Sequence, residues 1–319
     1  MKSSRTCSAL PGGGFQVARP DGFRLDAVKH LPLGFWAKFN GSFDFMLLGE
    51  LLDGDPGAVA RTWREGRFTS MFDFPLGFAI ADVFCRGESP SKLAAVLTND
   101  RRYPDAAQLV TLVDNHDLPR IMSQCGGDVE KVKQALAFLI SMRGVPSIIW
   151  GTEVGFDGAK EPDNRKSMRF VEHPLREHIA KWMKVRANSV ALREGVAVPV
   201  EVTTDRVVIA RVAADGSTMN VKIEGGRVSV DEGPKTSVQH GARRVTFSGT
   251  GSVVGSGAEF GDWDRKSAKP LPYSVDLPVN GVFEFKRIIN GEWETGANRL
   301  LFVSPLPDRE REKVIEVRL

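Results

Sequence analysis

Asp21-Gly22-Phe23-Arg24-Leu25-Asp26-Ala27-Val28-Lys29-His30 is a short apolar strand pattern that delivers charged groups to its end. In an extended segment side chains two apart share a face, so Arg24 and Asp26 point one way while Phe23 and Leu25 pack the other. An aspartate beside a guanidinium stays ionised, the state a carboxylate nucleophile needs at neutral pH. Alone, Arg-x-Asp is weak evidence, because structural ion pairs use the same spacing.

The surrounding chain alternates strand and helix patterns. Phe35, Trp36 and Phe39 fall at helical spacing within 31–39, and 43–50 reads as a buried strand ending on Glu50. Asp55 and Pro56 form a cap and first turn for a helix over 58–65. Strands are expected at 71–74, 108–113 and 146–150, with Asp128 capping a helix that runs to 142 and a further helical pattern over 172–192. Such alternation predicts an α/β region of parallel strands covered by helices. Beyond Gly195 the texture becomes β-branched alternation with Gly-rich turns, giving short strands at 207–212, 220–223 and 228–230, and a second such set from Val245 onward. The composition shifts divide the chain into an irregular lead-in at 1–19, an α/β domain at 20–194, a small β domain at 195–243 and a last β domain at 244–319.

Charged residues make up 26% of the 319 and the formal net charge is only +3, which argues against nucleic acid or a membrane surface as partner. Cys7, Cys85 and Cys125 are far apart with no C-x-x-C spacing, so neither a zinc site nor a disulfide framework is expected, and an odd count leaves at least one thiol free. Residues 7–15 lack the apolar run of a secretory leader, and no stretch is long and apolar enough to span a membrane.

Asp26, Glu50 and Asp117 each end an apolar strand, and parallel strands of a barrel converge at their carboxyl ends. Three carboxylates there suit retaining hydrolysis of a glycosidic bond, which needs one ionised carboxylate and one protonated carboxyl. The segment Gly22–His30, with Leu48-Gly49-Glu50, Asn115-His116-Asp117 and Gly144-Val145-Pro146 followed by Gly151-Thr152-Glu153, resembles the alpha-amylase family of retaining glycosidases (glycoside hydrolase family 13) in the order that family shows. The resemblance implies a (β/α)8-type barrel lacking its first three strand–helix units, followed by a small β-sandwich and a starch-binding β-sandwich. It implies Asp26 as nucleophile, Glu50 as acid/base and Asp117 as the carboxylate that steadies the sugar, with Arg24 and His116 beside them and Lys29 and His30 on the leaving-group side. Glu161-Pro162-Asp163-Asn164-Arg165 resembles a loop that holds the non-reducing side of the substrate, which makes Arg165 a candidate sugar contact or a surface salt bridge.

Gly261-Asp262-Trp263-Asp264, Phe283-Glu284-Phe285-Lys286 and Glu292-Trp293-Glu294-Thr295 resemble a starch-binding module of carbohydrate-binding family 20, which implies Trp263, Trp293 and Lys286 as a sugar platform. The module is shortened before Gly261, and a second sugar site of the usual kind is not expected. No Asp-x-x-x-Asn-His segment occurs; it supplies calcium ligands in many full-length family members, so calcium is not carried over and no cofactor is expected with certainty. The expected ligand is an α-1,4-glucan: starch, maltooligosaccharide or cyclodextrin. The first three barrel units have no room ahead of Gly22, so the expectation is a fragment, a truncated product, or a barrel completed by a partner chain or oligomer. The loop 161–165 leans toward cyclomaltodextrinases and neopullulanases, and Lys29-His30 toward ordinary amylases, with a transglycosylating relative left open. The alternative is a catalytically silent α-glucan-binding protein. Relatives with starch-binding modules are usually secreted.

Overall fold

A computed structural model of the chain describes residues 20–238, 241–279, 281–296, 298–303 and 314–319; the lead-in at 1–19, with Cys7, lies outside the described residues. In chain order, β1 (Gly22–Leu25) leads to α1 (Leu33–Asn40), β2 (Met46–Gly49) to α2 (Pro56–Gly66), and β3 (Ser70–Asp73) to α3 (Phe74–Phe84) and α4 (Ser91–Leu97). Then β4 (Val110–Leu112) precedes α5 (Ile121–Gln124) and α6 (Val129–Ser141), and β5 (Val145–Ser147) precedes α7 (Pro174–Ala187) and α8 (Val190–Glu194). The strands form one parallel sheet in sequence order, β1-β2-β3-β4-β5. Parallel neighbours need a crossover between them, and the helices supply it.

Local chemistry explains where the elements start. Asp55 accepts from the Gly57 and Ala58 N–H groups at the head of α2, and Asp128 from Glu130 and Lys131 at the head of α6. The strand expected over 43–50 is shortened because Phe43 and Phe45 turn aside to meet the Phe23 ring edge-on, with centroids 5.5 and 5.1 Å away. The helix expected over 172–192 is two, since Ser189 accepts from the Leu192 N–H and starts α8 afresh. The strand expected over 146–150 stops at Ser147.

After Gly195 the texture changes as expected, beginning with β6 (Val196–Val202), which sequence alternation did not reveal because Pro199 and a bulge between Pro199 and Glu201 interrupt it. With β7 (Arg206–Val212), β8 (Thr218–Glu224) and β9 (Arg227–Gly233) it forms an antiparallel meander. The expected small β-sandwich is therefore a single sheet. Val207, Ile209, Val221 and Ile223 share one core with Leu136 and Phe138 of α6 and Leu192 of α8, so helices take the place of a second sheet. The last region has β10 (Ala242–Ser248), β11 (Ser252–Gly255), β12 (Lys269–Pro270), β13 (Tyr273–Pro278), β14 (Gly281–Ile289), β15 (Glu292–Trp293), β16 (Arg299–Val303) and β17 (Val314–Arg318). They form a β13-β10-β17 sheet and a β12-β11-β14-β15 sheet with β16 on β14, and the two share a core of Phe247, Phe260, Phe283 and Phe285.

Buried charge ties these layers together. Asp73, fully buried at the end of β3, accepts from the Leu76 N–H to cap α3 and pairs with Arg143 at 2.5 Å. Arg143 also pairs with Asp100 at 2.5 Å. Burial pushes the Asp100 carboxyl up, against the pull of Arg143. Carbonyls at and just beyond the end of α6 are taken by two more arginines: Arg186 donates to Ile140, Met142 and Gly144, and Arg211 of β7 to Ser141 and also to Gly195, which follows α8. Arg211 thereby fastens the meander to the α/β region.

The cysteine expectation is corrected. Cys85 and Cys125 form a disulfide across 40 residues, joining the end of α3 to the end of α5. Sequence spacing carried no trace of it because two helix ends far apart in the chain meet only after the sheet has formed.

Arg143→Met would leave two buried carboxylates without their cation, and should lower unfolding stability by about 3–5 kcal/mol, read from urea denaturation.

Candidate active site

Register builds the site. β1 and β2 pair with Leu25 opposite Gly49, so the next residues, Asp26 and Glu50, stand side by side at the carboxyl ends of adjacent strands, roughly 4.8 Å apart by ordinary strand spacing. Gly49 is required there: a Cβ would meet the Met71 sulfur at 2.6 Å and the Phe68 ring at 2.8 Å. Arg24, one residue before the strand end, reaches both acids, donating to Asp26 Oδ1 at 2.5 Å and to Glu50 Oε1.

The turn after Asp26 completes the pair. Ala27 takes φ +45°, in the left-handed region, and its N–H donates to Glu50 Oε2 at 3.4 Å. Val28 then drops into the core, its N–H bonded to the Glu50 carbonyl and its own carbonyl held by the indole of Trp36 at 2.8 Å. Lys29 and His30 follow in an exposed 3-10 turn.

The two acids sit in different surroundings. The Asp26 side chain is 70% exposed and Glu50 only 8%. A hydrogen bond from Glu50, with the Arg24 charge, holds the Asp26 carboxyl below its ordinary range. Burial pushes Glu50 up, Arg24 pulls it back, and the bond to Asp26 adds to the rise. The ionised form is favoured at Asp26 and the protonated form is favoured at Glu50 relative to an ordinary carboxyl, the direction of division that a nucleophile and an acid require.

Asp117 lies further out. It sits not on the strand but in the loop beyond β4, in a turn closed by Asn115 Oδ1, which accepts from the Asp117 and Leu118 N–H groups. Its carboxylate is held by Arg165 at 2.5 Å and approached by His116 Nε2 at 3.2 Å, and His116 is also an electrostatic neighbour of Asp26. Arg165 also pairs with Glu161 at 3.4 Å, so the structure brings Arg165 to Asp117, a meeting that sequence did not foretell. Two other strand-end acids are structural: Asp73 as described, and buried Asp114, which pairs with Arg120 at 3.1 Å and accepts from the Ile121 N–H. Among the described residues no cluster of three or more His, Cys, Asp or Glu able to hold a metal occurs.

In the last region Trp263 and Trp293 come together, ring centroids 6.5 Å apart and planes tilted by 37°. Trp293 is 39% exposed, and Trp263 stands on a turn where Gly261, Asp262 and Trp263 all take positive φ. Lys286 does not reach out beside them; its ammonium donates to the Gly296 carbonyl at 2.8 Å and the Glu294 carbonyl at 3.4 Å.

A family model for the alpha-amylase catalytic domain matches residues 17–196. The chain belongs to the alpha-amylase family. It is 37% identical over 183 residues to a beta/alpha-amylase of Paenibacillus polymyxa, covering 55% of this chain and 15% of that protein. Among solved structures it resembles an Anoxybacillus alpha-amylase (26% identity, TM-score 0.62, 89% of this chain and 61% of the other) and, in fold, a Geobacillus thermoleovorans alpha-amylase complexed with acarbose (24% identity, TM-score 0.61, 85% and 60%). The chain thus spans from 15% to 61% of the length of these relatives.

Arg24 lowers both acids, so Arg24→Met should move the pair's titration to higher pH. Followed by the carboxyl carbon resonances of Asp26 and Glu50 across pH, both protonation steps are expected at higher pH in the variant than in the unmodified chain.

Proposed function

We propose that this chain carries the carboxyl-terminal part of a retaining glycosidase barrel that acts on α-1,4-glucans. The observation that carries the reading is the Asp26–Glu50 pair: adjacent strand ends, one guanidinium shared, and opposite protonation tendencies. The two carboxyl groups are close enough to hydrogen-bond, which favours retention over inversion, since inversion leaves room for a water between them.

In the proposed reaction the Asp26 carboxylate attacks the anomeric carbon while Glu50 donates its proton to the leaving glycosidic oxygen, so the C–O bond breaks as the glycosyl–Asp26 ester forms. Glu50, now ionised, takes a proton from the water that attacks the ester, which restores both groups. Asp117 holds the distorted sugar through its hydroxyls, and Arg165 and His116 keep that carboxylate in place. Lys29 and His30, exposed on the turn beyond Asp26, serve the leaving-group side.

On this reading β1 to β5 are the last five strands of a (β/α)8 barrel, over a domain at 20–194, with the meander at 195–243 and the two-sheet region at 244–319 as appended β domains. The last is assigned as a starch-binding module. Its support is the Trp263–Trp293 pair, two indoles at one edge with one ring well exposed, which suits the flat apolar faces of glucose units. Lys286 serves there by holding the hairpin that carries Trp293. The α-glucan assignment draws support from the acarbose bound by the Geobacillus thermoleovorans enzyme.

Reducing-sugar release from soluble starch by the 319-residue chain, beside its Glu50→Gln variant, tests the enzyme. Loss of about a hundredfold or more in the variant is expected for removal of the acid. No release by either, with starch still retained, would leave the chain a glucan-binding protein and overturn the catalytic assignment.

Retention on insoluble starch tests the module independently. Trp263→Ala and Trp293→Ala should each weaken it by about tenfold, the loss typical of truncating a buried-on-binding aromatic anchor, and leave release of reducing sugar from short maltooligosaccharides unchanged.

A further inference from the structure

Asn164 is 3% exposed, yet it lies in a surface loop and touches none of the three carboxylates. Its side-chain amide is spent on the loop that carries His116 and Asp117. Nδ2 donates to the His116 carbonyl at 2.9 Å and the Leu118 carbonyl at 3.3 Å, the carbonyls that bracket Asp117 on both sides. Arg165, the next residue, adds a bond from Nε to the same His116 carbonyl at 3.1 Å. The Asn164 backbone is fixed in turn: its carbonyl accepts from the buried guanidinium of Arg120 at 3.3 Å, and its N–H donates to the Lys160 carbonyl.

This arrangement is specific for an amide. One NH2 group satisfies two carbonyls that the turn at 115–118 leaves without strand or helix partners. Among the described residues the buried Oδ1 has no hydrogen-bond partner, so the side chain's hydrogen bonds to protein are those of its NH2 group. Aspartate has the same shape and would set a carboxylate oxygen against two carbonyls, and a shorter side chain would take its bond from the Leu118 carbonyl and leave the His116 carbonyl to Arg165 alone.

We infer that Asn164 is a positioning residue, which through the carbonyls of His116 and Leu118 sets the place of Asp117 relative to the Asp26–Glu50 pair. Its catalytic consequence rests on the assignment of Asp117 as the carboxylate that holds the sugar. The loop 161–165 then has two functions: Arg165 meets the Asp117 side chain, and Asn164 fixes the backbone beneath it.

Two measurements on the full chain test this, with Asn164→Ala and the milder Asn164→Ser so that one folded variant is available. Hydrogen–deuterium exchange of the peptide containing 115–118 should accelerate about tenfold or more, with peptides of β1 to β3 unchanged; equal exchange in that peptide overturns the proposal. On maltoheptaose, kcat/KM should fall about 10- to 100-fold in the wild-type background and show no further fall when combined with Asp117→Asn. An equal fall in both backgrounds would mean that Asn164 serves stability alone, and overturns the positioning role. If the unmodified chain shows no turnover, the glycosidase assignment fails by itself, and the exchange measurement still decides whether Asn164 holds the Asp117 loop.

Discussion

A slip of one residue between β1 and β2 would turn the slipped strand's whole set of side chains to the opposite face and separate Asp26 from Glu50. The rest of the site depends on that register. Leu25 and Gly49 can lie opposite one another because Gly49 has no side chain to strike Met71 and Phe68, and because Phe23 and Leu25 are drawn into packing on the face away from Arg24. Once it is set, two acids stand one strand spacing apart, a placement that repulsion would oppose if both were ionised. The shared guanidinium and the difference in exposure ease the conflict: the exposed acid is shifted toward the charged form and the buried one toward the protonated form.

Strand-end carboxylates in this chain divide by what stands behind them. Asp73 and Asp114 each face a buried arginine and the N-terminus of the following helix, so their charge is consumed in holding strand to helix. Asp26 and Glu50 are followed by a turn rather than a helix start, and their oxygens stay at the sheet's end. The same residue type at the same kind of position thus performs different work, and the decisive difference is the conformation of the two or three residues that follow it.

That distinction marks what was legible in the sequence. The Arg24–Asp26 face followed from a period of two, Glu50 from the apolar run before it, and the Asp55 and Asp128 caps from chemistry within three residues of each helix start. Interactions between distant segments were not legible. Asp73 finds Arg143 seventy residues on, Cys85 finds Cys125 at forty, and Asn164 reaches back to His116 across 48. None has a local signal, because each pairing exists only after the sheet has stacked its strands in order. The meander's cover was missed for a related reason: alternation in 206–224 shows that one face is apolar, and cannot show whether a sheet or a helix will lie on it.

The turn at Ala27 limits how this site can vary. A non-glycine residue in the left-handed region costs about 1–2 kcal/mol, and the cost is steeper for side chains branched at Cβ. Position 27 can therefore exchange alanine for glycine, or for the asparagine that tolerates such backbone, while valine, isoleucine and threonine are shut out whatever space surrounds them. The neighbourhood of Asp26 is thus restricted by backbone geometry as well as by chemistry. A collection of working variants would show this position confined to a few small residues, for a reason that lies in its backbone.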